Sequence, residues 1–407
     1  IQVATDSFET IETVSLGAWF SVGTRHESPE LNGIAHLLEH MAFKGTEKRS
    51  AKSIAEEIEA VGGHLNAYTS RENTAYFAKV LKEDLSLAID IISDILQHAS
   101  LDPEELERER TVIIQEIKQA QDTPDDIVFD YFQQAAYPNQ AIGRSVLGSA
   151  PNIEEINRDK IKNFMRDNYT CDRLVLSAAG SVTHEAFLTL VQNSFSNLPL
   201  KGSLNIEALG YVSGEHREDR DLEQLHLVMG FEGLSYIDED YYSLAVLSTL
   251  LGGGMSSRLF QEARERRGLV YSIYSFASNY QDGGIFGVYA GTGSNKIREL
   301  LPVICGEITS VCNDISEIEI IRAKAQLKSS ILMALESSSS RCEQAARQIQ
   351  IFGRTIPIPE VITKIDTVNK NRVEFIARRV FSSRPTIAAI GPTENLDTYA
   401  KIQDLLQ

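Results

Sequence analysis

Apolar and polar positions alternate over 11–26, as where Thr13, Ser15 and Gly17 separate Val14, Leu16 and Ala18 ahead of Trp19-Phe20. This period of two predicts a strand, followed by a loop over 23–32. The period then lengthens. Ile34, Ala35, Leu37, Leu38, Met41 and Phe43 recur at helical spacing and predict a buried helix over 34–43. A second, amphipathic helix is expected over 46–61, with Ala51, Ile54, Ala55, Ile58 and Val61 on one side and Gly62-Gly63 as its stop. Residues 64–68 and 74–80 read as two strands around the polar turn Ser70-Arg71-Glu72-Asn73. Another amphipathic helix covers 85–98. The segment 101–121 carries strong start signals: Asp102 as N-cap, Pro103 at the first helical position and acidic residues in the first turn. A turn at 122–126 leads into a helix through Tyr131 and Phe132. Helix 153–168, strand 174–180 and helix 183–197 follow. Residues 1–6 read as the inside of a first strand rather than a signal peptide, with no basic start and no long apolar core.

The pattern then recurs. A polar, Gly-containing stretch over 201–215 is expected to be a linker. Phe164 and Ala179-Gly180 find counterparts in Phe375 and Ile390-Gly391, each 211 residues on, and Gly63 finds one in Gly268, 205 residues on. Residues 241–253 take the place of 34–43. The expectation is an α+β fold of two homologous domains, 1–200 and 216–407, produced by a degenerate duplication. Each would be a mixed or antiparallel sheet covered by helices.

The helix over 34–43 carries the candidate chemistry. His36 and His40 sit at i and i+4, so both imidazoles share one face and can close on one metal. Glu39, three residues after His36, projects beside them. Zinc catalysis uses neutral nitrogen ligands, an open position for water and a nearby carboxylate. His-x-x-Glu-His reverses the familiar His-Glu-x-x-His order and is the inverzincin signature. Polar groups on a buried helix need partners, and a metal supplies them. The third ligand is sought on 101–121, where Glu109 and Glu116 are two turns apart and Val112, Ile113 and Ile117 give an apolar side. Glu116 is the best candidate, although from the pattern alone either glutamate reads better as a solvated member of a charged helix. The second copy holds no such motif: Val246-Leu247-Ser248-Thr249-Leu250 stands in its place, followed by a run of three glycines at 252–254.

Composition narrows the class. The 407 residues are 43% hydrophobic and 24% charged, which suits a globular chain of two or three domains. No apolar run approaches the ~18 residues of a membrane span. A net charge of −18 argues against nucleic acid and anionic membranes and is compatible with basic peptides. The cysteines (Cys171, Cys305, Cys312, Cys342) show no paired spacing, which points to free thiols and a reducing compartment.

Three runs carry a family resemblance: His36 to Thr46 (His-Leu-Leu-Glu-His-Met-Ala-Phe-Lys-Gly-Thr), His64 to Asn73 (His-Leu-Asn-Ala-Tyr-Thr-Ser-Arg-Glu-Asn) and Glu107 to Glu116. With them the chain resembles the pitrilysin-type zinc peptidases, and within these the catalytic (beta) subunit of mitochondrial processing peptidase and its bacterial homologues. The family's third ligand lies about 76 residues after the second histidine, and here 116 − 40 = 76. The resemblance therefore implies one Zn2+ per chain on His36, His40 and Glu116. It implies Glu39 as general base and Glu109 as a carboxylate that orients the site. It implies that Arg267 and Tyr271 reach the substrate, Tyr271 toward the developing oxyanion. Asp126 and Asp130, four apart on one helix face, would help bind an arginine near the cleavage site, although Asp125 and Asp126 also read as an acidic helix start. The strand over 64–69 is the expected edge for an extended peptide, with Asn66 and Ala67 as contacts. The implied molecule is a zinc metalloendopeptidase that cleaves extended or presequence-like peptides in a closed, clam-shell chamber. A homodimer is expected, since one chain holds both the metal motif and the Arg/Tyr pair. A homodimer points to a bacterial cytoplasm, with the mitochondrial matrix as alternative. The competing reading is a non-catalytic scaffold subunit of the same fold, which has no need of these four side chains.

Overall fold

The alternating run over 11–26 yields a strand only over Thr13–Phe20, central in a five-stranded sheet, and Thr24–His26 already turns helically. The computed structural model describes all residues but Glu9, Leu204 and Asn205. The first sheet contains β1 (Gln2–Ser7), β2 (Thr13–Phe20), β3 (His64–Thr69), β4 (Thr74–Leu81) and β5 (Leu174–Gly180), in the order β1-β5-β2-β4-β3. The second contains β6 (Gly214–Asp219), β7 (Leu225–Glu232), β8 (Val270–Asn279), β9 (Gly284–Thr292) and β10 (Thr386–Gly391), in the order β6-β10-β7-β9-β8. In each, the outer pair β1–β5 or β6–β10 is parallel and the other pairings are antiparallel. The same topology twice is the α+β duplication expected from the sequence.

The structure sharpens the repeat by single residues. β5 and β10 both end on a glycine at φ +123°, Gly180 and Gly391. A Cβ there would lie 2.3 Å from the Thr13 carbonyl oxygen or 2.4 Å from that of Gln224, so no other residue fits. The left-handed glycines before the edge strands are Gly62 (φ +68°) and Gly268 (φ +59°), so Gly62, not Gly63, is the counterpart. Asn157 and Asn369 cap the helices Arg158–Asn168 and Lys370–Phe381, and 369 − 157 = 212. Phe164 therefore answers to buried Ile376, while Phe375 is 47% exposed.

The first helices are α1 (Ile34–Ala42), α2 (Ala51–Ala60), α3 (Leu85–Gln97), α4 (Pro103–Gln121) and α5 (Pro124–Ala136). α2 starts later than expected because the Ser50 side chain caps it, accepting from the Ser53 N–H. The expected helix over 153–168 is two, Ala150–Glu155 and Arg158–Asn168, because the Asn157 side chain starts the second.

The chain forms two compact units, and these are not contiguous. One comprises Ile1–Gln119, Arg144–Glu207 and Met333–Thr355; the other comprises Ala120–Gly143, Ala208–Leu332 and Ile356–Gln407. The expected domains 1–200 and 216–407 thus each give up one helix. In the first unit Val14, Leu16, Ala18 and Phe20 join α1 and α3 in the main core. The opposite face of the sheet, with Trp19, Ala75, Val175 and Ala179, packs on Cys342 and Ala346 of the helix Ser338–Phe352. Ser15 meets Ser338 there at 2.8 Å, and Ser177 donates to the Cys342 carbonyl at 2.8 Å. In the second unit α5 plays the equivalent part: Val128, Phe132 and Ala136 pack on Val228, Ala388 and Ile390. Of the expected linker 201–215, Leu204 and Asn205 lie outside the described residues, and Gly214 already opens β6.

Candidate metal centre

α1 is buried through Ile34, Ala35, Leu37, Leu38, Met41 and Ala42, which leaves His36, Glu39 and His40 on its remaining face. Its start has no side-chain cap of the usual kind, because Gly33 stands there at φ +99°. Glu27 does that work from the preceding loop. Its carboxylate accepts from the N–H groups of Gly33 (2.9 Å) and Ala35 (2.8 Å) and from the Asn32 side chain (2.9 Å). Arg144 donates to the Glu27 carbonyl, so the loop is held from both sides. Burial nevertheless pushes the Glu27 carboxyl up to about 7, against its three hydrogen bonds and the Arg144 charge.

α4 begins as the sequence indicates. Asp102 accepts from the N–H groups of Glu104 (2.8 Å) and Glu105 (3.2 Å). Leu106, Glu109 and Ile113 are its buried residues, whereas Val112, expected on the apolar side, is 39% exposed. This face brings Glu109 and Glu116 to the histidines. The Glu116 Oε2 atom lies 3.8 Å from His36 Nε2 and 3.7 Å from His40 Nε2. Both distances are too long for hydrogen bonds, and Oε2 is buried with no partner. The three ligand atoms lie within 4.8 Å of one another. Ligands about 2.0–2.1 Å from a tetrahedral zinc stand about 3.4 Å apart. Among the described residues no protein donor sits between these three atoms, and a divalent cation fits this donor set.

The surroundings hold these side chains in place. His40 Nδ1 donates to Glu109 Oε2 at 2.9 Å, which leaves Nε2 as the free lone pair facing Glu116. Lys44 Nζ holds the other Glu109 oxygen at 2.6 Å. Burial works against the Glu109 carboxylate, but Lys44 and His40 outweigh it and keep its pKa below the ordinary value. Burial, with the neighbouring His40, lowers the His36 pKa to about 4, so its imidazole stays neutral. Glu39 Oε2 accepts from the Thr69 hydroxyl at 2.5 Å. Burial pushes the Glu39 carboxyl above its ordinary value; Thr69 and His40 oppose that rise and Glu116 adds to it.

Comparison with known proteins decides the family. The model described as Insulinase (Peptidase family M16) matches residues 2–150, and that described as Peptidase M16 inactive domain matches 155–327. This chain belongs to peptidase family M16. An uncharacterized zinc protease of Bacillus subtilis is 38% identical over 398 residues, covering 97% of each chain. The mitochondrial-processing peptidase subunit beta of Homo sapiens is 37% identical over 407 residues, 97% of this chain and 83% of that one. The crystal structure of a peptidase M16 inactive domain from Pseudomonas fluorescens superposes with a TM-score of 0.89 at 18% identity, covering 97% of each chain.

Within this M16 chain, one unit collects His36, Glu39, His40, Glu109 and Glu116. Asn66 and Ala67 lie on β3, the edge of the same sheet. Asp126 and Asp130 belong to the second unit on α5, where Asp126 is exposed in the first turn. Arg267 and Tyr271 are also in the second unit. Arg267 pairs with Glu262 at 2.9 Å and Glu299 at 3.4 Å, and Tyr271 is 76% exposed. The sequence reading missed Glu27, Lys44 and Thr69. Lys44 is four residues after His40, one helical turn on, and that spacing was the available signal. Glu27 and Thr69 come from a loop and a strand whose places depend on the fold.

Proposed function

We propose that this chain is a zinc-dependent endopeptidase in which His36, His40 and Glu116 hold one Zn2+. The observation that carries the reading is the buried, unpartnered Glu116 oxygen facing two Nε2 atoms, with Glu39 beside them. Zinc bound there supplies a Lewis acid and lowers the pKa of a water molecule toward about 7. Glu39 takes the proton from the attacking water and hands it to the leaving amine. A carboxyl pushed upward by burial suits both steps, since it accepts and returns a proton more readily near neutral pH. Glu109 fixes the His40 ring and its tautomer. An extended peptide would add to the free edge of β3, alongside Asn66 and Ala67, through main-chain hydrogen bonds. Arg267 and Tyr271 would contact the substrate carbonyl and the developing oxyanion, and Asp126 and Asp130 a basic residue of a presequence-like peptide. The net charge of −18 favours such substrates.

The test is Glu39→Gln. We expect full zinc content and a fall in turnover of about 100- to 10,000-fold. Wild-type cleavage by this variant would remove Glu39 from the mechanism. Metal content separates this reading from a scaffold subunit, for which zinc near one atom per chain has no purpose.

We further propose a homodimer, because one chain carries both the metal residues and the Arg/Tyr pair. Light scattering at micromolar concentration checks it, and an active monomer would contradict it. Among the described residues no helix is long and apolar enough to cross a membrane. The bacterial and mitochondrial relatives suit a bacterial cytoplasm or a mitochondrial matrix, which cell fractionation distinguishes.

A further inference from the structure

The strand proposed to receive the peptide also touches the proposed base. Thr69 is the last residue of β3 and pairs with Thr74 across the turn. Its hydroxyl donates to Glu39 Oε2 at 2.5 Å, a contact between strand and helix that spans 30 positions of sequence. Among the described residues none donates to the other carboxylate oxygen.

The turn beyond Thr69 is held firmly. Ser70 N–H donates to the Asn73 carbonyl at 2.7 Å. The carbonyls of Ser70 and Arg71 accept from the N–H groups of Thr24 (3.1 Å) and Arg25 (2.8 Å). Arg25 also pairs with Glu72 at 2.6 Å, with both side chains withdrawn from solvent. Two residues further on, Glu27 caps the start of α1. One continuous brace therefore fixes the hydroxyl of Thr69 and the helix that carries Glu39. A carboxylate that must reach water first and an amine later needs its orientation fixed, because a displacement of about 1 Å costs up to about 100-fold in rate.

Resting on the peptidase reading above, we infer that Thr69 is a positioning residue for Glu39. Its hydroxyl occupies Oε2 and so aims Oε1 at the proton. The bland alternative is that Thr69 only satisfies a half-buried carboxylate and that catalysis does not depend on it.

The experiment uses the full-length, zinc-loaded chain and one fluorogenic peptide that the wild type cleaves. Thr69→Val keeps the shape and removes the donor. We expect kcat to fall about 10- to 100-fold with KM changed less than threefold and zinc content unchanged. Thr69→Ser keeps the donor and restores kcat to within about threefold of wild type. If the hydroxyl only satisfied the carboxylate, the folded valine variant would keep the wild-type kcat and there would be no loss for serine to restore. Affinity for the uncleaved peptide, measured in the Glu39→Gln background with and without Thr69→Val, should be the same. Should Thr69→Val lower the melting temperature too far to assay, Thr69→Ala and Thr69→Ser carry the comparison instead. A wild-type kcat in the valine or alanine variant overturns the inference, as does a folded serine variant no faster than the valine one. A zinc-loaded wild type that cleaves no peptide sinks the peptidase reading itself, and the unmodified protein alone reveals that outcome.

Discussion

Glu109 shows how one side chain can be charged, buried and stable at once. At 5% exposure a carboxylate needs partners on both oxygens, and it finds Lys44 on one and His40 on the other. Removing its charge should release the His40 ring and weaken its Nε2 as a ligand. Glu109→Gln is therefore expected to lower zinc affinity about 10- to 100-fold, read by competition with a chromogenic chelator. Unchanged affinity would reduce Glu109 to a partner for Lys44. His36, Glu39 and His40 were legible in the sequence because three fixed residues inside one helical turn share a face whatever the rest of the chain does. Glu116 was legible only through resemblance, since a glutamate among Glu104, Glu105, Glu107 and Glu109 carries no mark of its own. Thr69 carried none either: a threonine at the end of a strand is ordinary, and only the fold places Glu39 opposite it.

At the scale of elements, the short helix α1 depends on a carboxylate that precedes it by several residues. Glu27→Ala leaves the Gly33 and Ala35 N–H groups and the Asn32 side chain without their buried acceptor. This should destabilise the first unit by about 1–3 kcal/mol, measured by denaturant unfolding. The same residue sets a pH dependence. Its pKa rises from 4.5 in the unfolded chain to about 7 in the folded one, so the folded chain holds the proton more tightly. The stability contributed by that proton is fully present below pH 4.5 and is lost as pH rises through about 7. Unfolding measured at several pH values should show this slope in the wild type and a flatter one in Glu27→Ala. Equal slopes would remove Glu27 as the cause. Periodicity gave the existence and type of α1 and α3 because each buries an apolar stripe, whereas α4 was marked by its start signals. It missed the break at Asn157 and the late start of α2, because a capping side chain can end or delay a helix while the apolar pattern runs on.

At the scale of the whole molecule, the exchange of helices has a consequence. A chain of residues 1–200 would hold every proposed zinc ligand but would lack the helix Ser338–Phe352. The sheet face of Trp19, Ala75, Val175 and Ala179 would then meet water. We expect that fragment to aggregate or to show weak protection from protease, and a peptide of residues 333–355 to restore order. A well-folded fragment by circular dichroism and hydrogen exchange, with no need of the peptide, would refute this. By itself the sequence determined the duplication, the α+β class and the pair of histidines with their glutamate, because alternation, helical spacing and i,i+4 geometry act within a few residues. Only tertiary structure decided which helix covers which sheet and which distant carboxylate and hydroxyl brace the motif. Those contacts join segments tens to hundreds of residues apart, and no local periodicity records the partner of a side chain that far along the chain.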